Sequence, residues 1–357
     1  MSAGMSVLVT PRARVVDSRN ASRVTTVDCL RGLAASAVVW FHLTQGNPDP
    51  HAPLWLRASG KHGWLGVEVF FVISGFVIPF VLHRMNYRLR DYGPFVLRRI
   101  VRLDPPYFAS ILLAVVLAYM SAAVPGFRGP PPAFSAGQLL SHVAYANGLL
   151  GFRSVIPVYW SLSLEFQYYL LIGLAAPLLL SGRQIVRIIA LVALAIAALT
   201  LTNPLIVFRW FFLFELGLMT FYFRKRMVSL SGYLAGVALA GIGTHVTLGL
   251  ATALVAVATT LLIAFVELKN RPLLFLGDIS YSLYLIHVPI AGRVINGGSR
   301  LALGPAGWVL LTLGAFAIAV LAAYGFHRLV ERPAREWAAR IPYGNPDRPR
   351  DLLLKVS

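Results

Sequence analysis

The chain has 357 residues, 57% hydrophobic and only 13% charged, with a mean hydropathy of +0.70 and a formal net charge of +18. That much apolar surface excludes an ordinary water-soluble domain, because it needs lipid around it. A nucleic-acid partner is not expected either, since the basic residues alternate along the chain as they do in a membrane protein.

Taken in chain order, runs of about 20 apolar residues recur, the length that carries a helix across roughly 30 Å of hydrocarbon. They predict about ten spans, near 26–46, 62–83, 104–124, 158–180, 184–202, 204–223, 229–246, 247–267, 273–296 and 304–327. Of the 32 Lys and Arg, 24 fall in one alternate set of loops and tails, six in the opposite set and two inside spans. The positive-inside rule then makes both termini cytoplasmic. The expected fold is an all-α polytopic transmembrane bundle: a basic N-tail at 1–25, a membrane domain at 26–327 and a basic C-tail at 328–357. Residues 1–25 are Arg-rich and lack the apolar stretch of a cleavable signal. Cys29 is the only cysteine, so an intrachain disulfide is excluded.

Ionisable groups inside a span are costly, and each asks for a role. In "LRGLAASAVVWFH" (30–42), Arg31 and His42 are eleven residues apart. At about 100° per residue both point the same way, separated by a rise of about 16 Å. Arg31 is expected at the cytoplasmic side and His42 in the outer half. The plain readings are a snorkelling anchor for Arg31 and an interhelical hydrogen bond for His42. The shared face favours instead one polar channel touched at two depths, with the small residues between them leaving room for a thin substrate arm or serving close helix packing.

Further along, "FVLRRIVRLDPPYF" (95–108) puts Arg99 and Arg102 on one helix face before a Pro pair. With Arg31 they could clamp phosphates, which the planar guanidinium binds through two oxygens at once; a plain cytoplasmic loop is the alternative. In "YWSLSLEFQYYLL" (159–171), Trp160 is an interfacial aromatic and a candidate channel residue, and Glu165 lies about 8 Å below the outer interface, near the depth of His42. A carboxylate and an imidazole at matching depth could meet, as a catalytic pair or a structural salt bridge. In "DISYSLYLIHVP" (278–289), Ser280, Tyr284 and His287 form a polar stripe. Seven residues of helix hold Ser280 and His287 about 10 Å apart, so they are channel lining or helix glue rather than nucleophile and base. No metal site is expected.

Together these motifs resemble the integral-membrane acyltransferase family 3, whose members include cell-envelope O-acetylases and macrolide acylases. The similarity covers the Arg, ten residues, His pattern at Arg31 and His42, and "GVEVFFVISGFVI" (66–78), where Glu68 stands in place of the family's usual Asp. It continues through Arg-x-x-Arg at Arg99 and Arg102, Trp-Ser-Leu-x-x-Glu from Trp160 to Glu165, "ISYSLYLIHVP" and "LVERPAREW". The resemblance implies a bacterial inner-membrane enzyme that takes an acyl group, acetyl by default, from cytoplasmic acyl-CoA. It passes the group to a hydroxyl of a carbohydrate-containing acceptor. It also implies donor binding by Arg31, Arg99 and Arg102 and catalysis by His42.

On this reading His42 is a general base, held by Glu165, with Ser74 and Tyr284 as candidate oxyanion donors. Transfer through an acyl-enzyme is a second route. A proton- or anion-coupled transporter using the same intramembrane residues is the alternative from another class, which would be expected to carry internal repeats not apparent here.

Overall fold

The computed structural model describes residues 25–45, 52–125, 127, 129–301 and 303–342. Most of the expected basic tails, at 1–24 and 343–357, therefore lies outside the described residues. Among the described residues the fold is helical, without strands. Fourteen α-helices follow in order: α1 Thr25–Gln45, α2 Leu54–Ser59, α3 Gly66–Arg84, α4 Tyr92–Ala122, α5 Ala136–Ser141, α6 Trp160–Leu179, α7 Gln184–Thr200, α8 Phe211–Arg224, α9 Leu230–Leu248, α10 Leu250–Phe265, α11 Arg271–Asp278, α12 Ser280–Gly298, α13 Pro305–Phe326 and α14 Arg332–Ala339.

A helix lies at each of the ten expected span positions. Four helical stretches are long and apolar enough to cross a membrane: Leu54–Arg84, Leu89–Ala122, Pro157–Leu179 and Pro305–Ala339. A bent pair, Arg271–Asp278 with Ser280–Gly298, makes a fifth. The remaining helices are shorter or more polar; α7 and α10, for example, have 17 and 16 residues. The chain is thus a helical membrane protein with four to five such spans among its described residues.

Two expected boundaries shift. The run at 273–296 is not one straight span, because it turns by 74° between α11 and α12. At its start, Asn270 caps α11 by accepting a hydrogen bond from Leu273 N, as a short polar side chain does for an unpaired first-turn donor. At its end Gly277 lies against the backbone of α1, where a Cβ would stand 2.1 Å from Asp28 O. The last span also does not stop near 327. Its helix continues through a π-helical turn, His327–Glu331, into α14, so the first part of the expected C-tail is helical and packs on α4.

The centre is built from α1 and α3. Helix α1 packs on α3, α11 and α12, and α3 packs closely on α8. Gly75 and Gly217 allow the second approach: a Cβ on either would lie 2.0–2.1 Å from a carbonyl oxygen of the facing helix. In lipid, where tails compete for apolar side chains, small residues favour such backbone proximity.

The connection between α4 and α6 docks on the bundle through aromatic and polar contacts. His142 is fully buried; its Nδ1 lies 2.6 Å from Tyr107 Oη, and its Nε2 accepts from Val155 N at 3.2 Å. Tyr145 donates to Asp104 Oδ1 at 2.8 Å and stacks between Tyr107 and Phe166.

Candidate functional site

The polar residues of the spans divide between two cavities rather than lining one track. The first, of about 90 Å³, is bounded by Arg31, Arg102, Ser74, Glu165, Tyr169 and Tyr284, with Ser280 and Tyr281 among its walls. The second, of about 510 Å³, has His42 and His287 beside it, with Pro130, Pro131, Pro132, Phe134, Arg293 and Asn296 around its sides. Arg31 and His42 share a helix but open into different spaces. The small residues between them are filled by neighbours: a Cβ on Gly32 would meet Leu273 O at 2.3 Å, and Gly66 of α3 approaches Ala34 O as closely. Close packing, not an open groove, accounts for them.

Of the three expected arginines, Arg31 and Arg102 line the first cavity, while Arg99 stands behind it and a fourth, Arg335, lines a neighbouring pocket with Asp278, His327 and Arg328. Arg102 has Arg99, Arg335 and Arg31 as charged neighbours. Arg99 is 3% exposed and lies over the rings of Phe95 and Tyr169, each 5.4 Å from the guanidinium carbon. Its Nε is buried without a hydrogen-bond partner among the described residues. Arg335 comes from α14, where Glu331 Oε1 lies 4.0 Å from its Nη1. Glu331 is itself 2% exposed and accepts from Ser282 N and Oγ at 3.2 and 2.6 Å, with His327 Nδ1 3.1 Å away. That knot ties the π-helical turn to the start of α12, and π-helical turns recur at functional positions. In the sequence Arg335 falls in the expected cytoplasmic tail and in the "LVERPAREW" motif, with no role of its own. Besides that motif, a signal is Glu331 four residues earlier, a spacing that faces both side chains the same way.

Glu165 belongs to this cavity and not to His42. Ser74 Oγ donates to its Oε1 at 2.9 Å and Tyr169 Oη donates to the same oxygen at 2.5 Å. Through Tyr169 the carboxylate is coupled to Arg99. Trp160 lines neither cavity; it packs on Trp210 and Phe71. Ser280 donates to Gly277 O at the helix break. Glu68, in the first turn of α3, is buried with Oε2 unpartnered among the described residues.

The partner of His42 is a second histidine. His42 Nδ1 lies 2.9 Å from Val38 O and 3.2 Å from His287 Nε2. Tyr284 is the contact between the two cavities. It borders the first, its ring centroid lies 6.1 Å from that of His287, and Phe70 meets it edge-on at 6.0 Å. Its hydroxyl donates to Val158 O at 2.9 Å and shares a 2.6 Å hydrogen bond with Ser161 Oγ. With those bonds made, it is anchored in the wall.

The site is thus a small cavity lined by Arg31, Arg102 and Glu165 beside a wider one with His42 and His287 at its edge, both within a helical membrane bundle. Residues 24–324 match the acyltransferase domain of family 3, and the chain belongs to that family. It is 28% identical over 160 residues to the peptidoglycan O-acetyltransferase OatA of Listeria monocytogenes, covering 42% of this chain and 23% of that protein. It is 31% identical over 180 residues to the O-acetyltransferase OatA of Staphylococcus aureus, covering 47% of this chain and 28% of that one. The aligned region is about a quarter of the length of these relatives. No solved structure matches.

Proposed function

We propose that this protein transfers an acyl group, acetyl in the first instance, from acyl-CoA to a hydroxyl of a carbohydrate-containing envelope acceptor. The observation that carries this reading is that Arg31 and Arg102 line a cavity whose lining includes a single carboxylate, Glu165, with Arg99 and Arg335 as further charged neighbours of Arg102. Clustered guanidiniums, one with a buried nitrogen unpaired, call for an anion, and the phosphates of coenzyme A supply one. The likeness to two proteins named O-acetyltransferases supports acetyl transfer.

In this mechanism the nucleotide end of the donor is held by the arginines at the cytoplasmic side. The pantetheine arm passes Tyr284, and the thioester meets His42. The acceptor enters from the wider cavity. His42 takes the proton of its hydroxyl as the oxygen bonds to the thioester carbonyl carbon. The carbon–sulfur bond breaks, and the departing thiolate takes the proton from the imidazolium, leaving the ester and free coenzyme A. Base assistance of this kind contributes about 10² to 10⁴-fold. The topology that fits is ten crossings of a bacterial inner membrane with cytoplasmic termini, in keeping with the distribution of Lys and Arg.

The test is transfer from radiolabelled acetyl-CoA by purified protein in detergent, with oligosaccharide acceptors. Label in the acceptor supports the reading. Absence of both transfer and hydrolysis, alongside proton-coupled uptake in vesicles, replaces it with transport.

A further inference from the structure

His287 was read from sequence as lining or helix glue, yet its hydrogen bonds specify more than packing. It is 1% exposed, and its Nδ1 faces two backbone carbonyl oxygens, Leu283 O at 3.0 Å and Tyr284 O at 2.8 Å. A carbonyl only accepts, so this nitrogen carries the ring proton and Nε2 of the neutral ring is left with its lone pair. That lone pair points at His42 Nδ1, 3.2 Å away. His42 Nδ1 also faces a carbonyl, Val38 O at 2.9 Å, so it too carries a proton and shares it between the two acceptors. Two carbonyls on α12 and one on α1 thus dictate one tautomer for both rings. The basic nitrogen of His42 is Nε2, which has no hydrogen-bond partner among the described residues.

We infer that His287 is the positioning residue for the base. It fixes His42 as the Nδ1–H tautomer, aims Nε2 at the substrate, and accepts a stronger, charge-assisted bond when Nε2 takes the acceptor's proton. A catalytic histidine often has an anionic carboxylate behind it for this purpose. Here the acceptor is a neutral imidazole, held by backbone, while the nearby carboxylate Glu165 is engaged with Ser74 and Tyr169. A charge-assisted hydrogen bond is shorter and stronger than a neutral one, so the pairing favours the imidazolium that forms during transfer. This inference rests on His42 being the base, and the experiment separates the two.

The experiment compares His42→Gln, His287→Leu and His287→Gln in steady-state acetyl transfer, with ¹⁵N spectra of histidine-labelled protein in detergent. Leucine fills the volume but cannot accept a hydrogen bond; glutamine can accept through its side-chain oxygen. The expected result is a loss of about 10- to 100-fold in kcat for His287→Leu, with donor and acceptor KM little changed. His287→Gln should recover to within about fivefold of the parent. In the parent spectrum, the resonance lost in His42→Gln should carry the Nδ1–H signature. An Nε2–H signature there overturns the inference even if the His287 variants fail to fold. So does a kcat within about twofold for His287→Leu, or an equal loss in the leucine and glutamine variants. Full turnover by His42→Gln instead overturns the base itself.

Discussion

Gly32 of α1 and Gly277 of α11 hold the two helices in backbone contact: a Cβ on Gly32 would lie 2.3 Å from Leu273 O, and one on Gly277 2.1 Å from Asp28 O. Arg31 is adjacent to this contact, so the crossing sets where its side chain enters the arginine cavity. Gly277→Ala must push the helices apart, and forcing a methyl group into a filled interior costs about 1–3 kcal/mol. The expected outcome is a lower melting temperature in detergent and a weaker donor dependence on Arg31. An unshifted melt would mean the contact is looser than described.

Arg335 lines a neighbouring pocket and is a charged neighbour of Arg102, so it is expected to support Arg31, Arg99 and Arg102 on the donor. Losing one charge-assisted contact to phosphate corresponds to about tenfold in affinity. Arg335→Gln should therefore raise the donor KM about tenfold, leave acceptor KM unchanged and depress kcat little. A variant with parental donor KM would remove α14 from the site.

Glu165→Gln should behave as a donor-side change as well. The carboxylate receives two hydrogen bonds, from Ser74 and Tyr169, and Tyr169 supports Arg99. Glutamine keeps one acceptor oxygen but loses the charge, so donor KM is expected to rise severalfold. The His42 tautomer signature should stay as in the parent. A change in that signature would restore the pairing of Glu165 with His42.

That pairing illustrates what the sequence could carry and what it could not. The positions of the helices were legible, because runs of apolar residues report span length directly. The proximity of Arg31, Arg99 and Arg102 was legible too, since their spacing and the loop charges put them at one level, but not that Arg99 stands behind the cavity the other two line. Helical rise locates a residue along its axis, and so Glu165 and His42 were read at one depth. It says nothing of which neighbour a side chain faces across the bundle, which is decided by how α1, α6 and α12 rotate against one another. His287 fills that place instead. The break between α11 and α12 was hidden for a related reason: it depends on α1 lying against Gly277, a contact between residues far apart in the chain.

His142 gives a dependence on pH outside the spans. Burial holds its imidazole below the ordinary histidine value, so the docked loop binds it neutral. The unfolded chain takes up the proton first as pH falls, near 6.5. The contribution of this group is therefore complete above that value and is lost below it, by at most about 1.4 kcal/mol per pH unit. Melting temperature should fall between pH 7.5 and 5. His142→Ala should be less stable at pH 7.5, having lost the contacts to Tyr107 and Val155, and should show a shallower slope. An identical slope would assign the acid sensitivity elsewhere.

Tyr284 provides the sharpest test of the two-cavity arrangement. Its ring borders the arginine cavity and lies against His287, while its hydroxyl is tied to Val158 and Ser161 on the α6 side. Tyr284→Phe keeps the ring and loses the tether, so a drop in kcat of only a few fold is expected, with coupling retained. Tyr284→Ala removes the partition and joins the two spaces. The donor arm then loses the wall that steers it, and a thioester near His42 is held less firmly for the acceptor and is open to water. With acceptor present, the ratio of free acid to acylated acceptor should rise above that of the parent, and both products should disappear when His42→Gln is added. If Tyr284→Ala lowers transfer and hydrolysis in equal proportion, the tyrosine is a structural strut and the donor reaches His42 by another path.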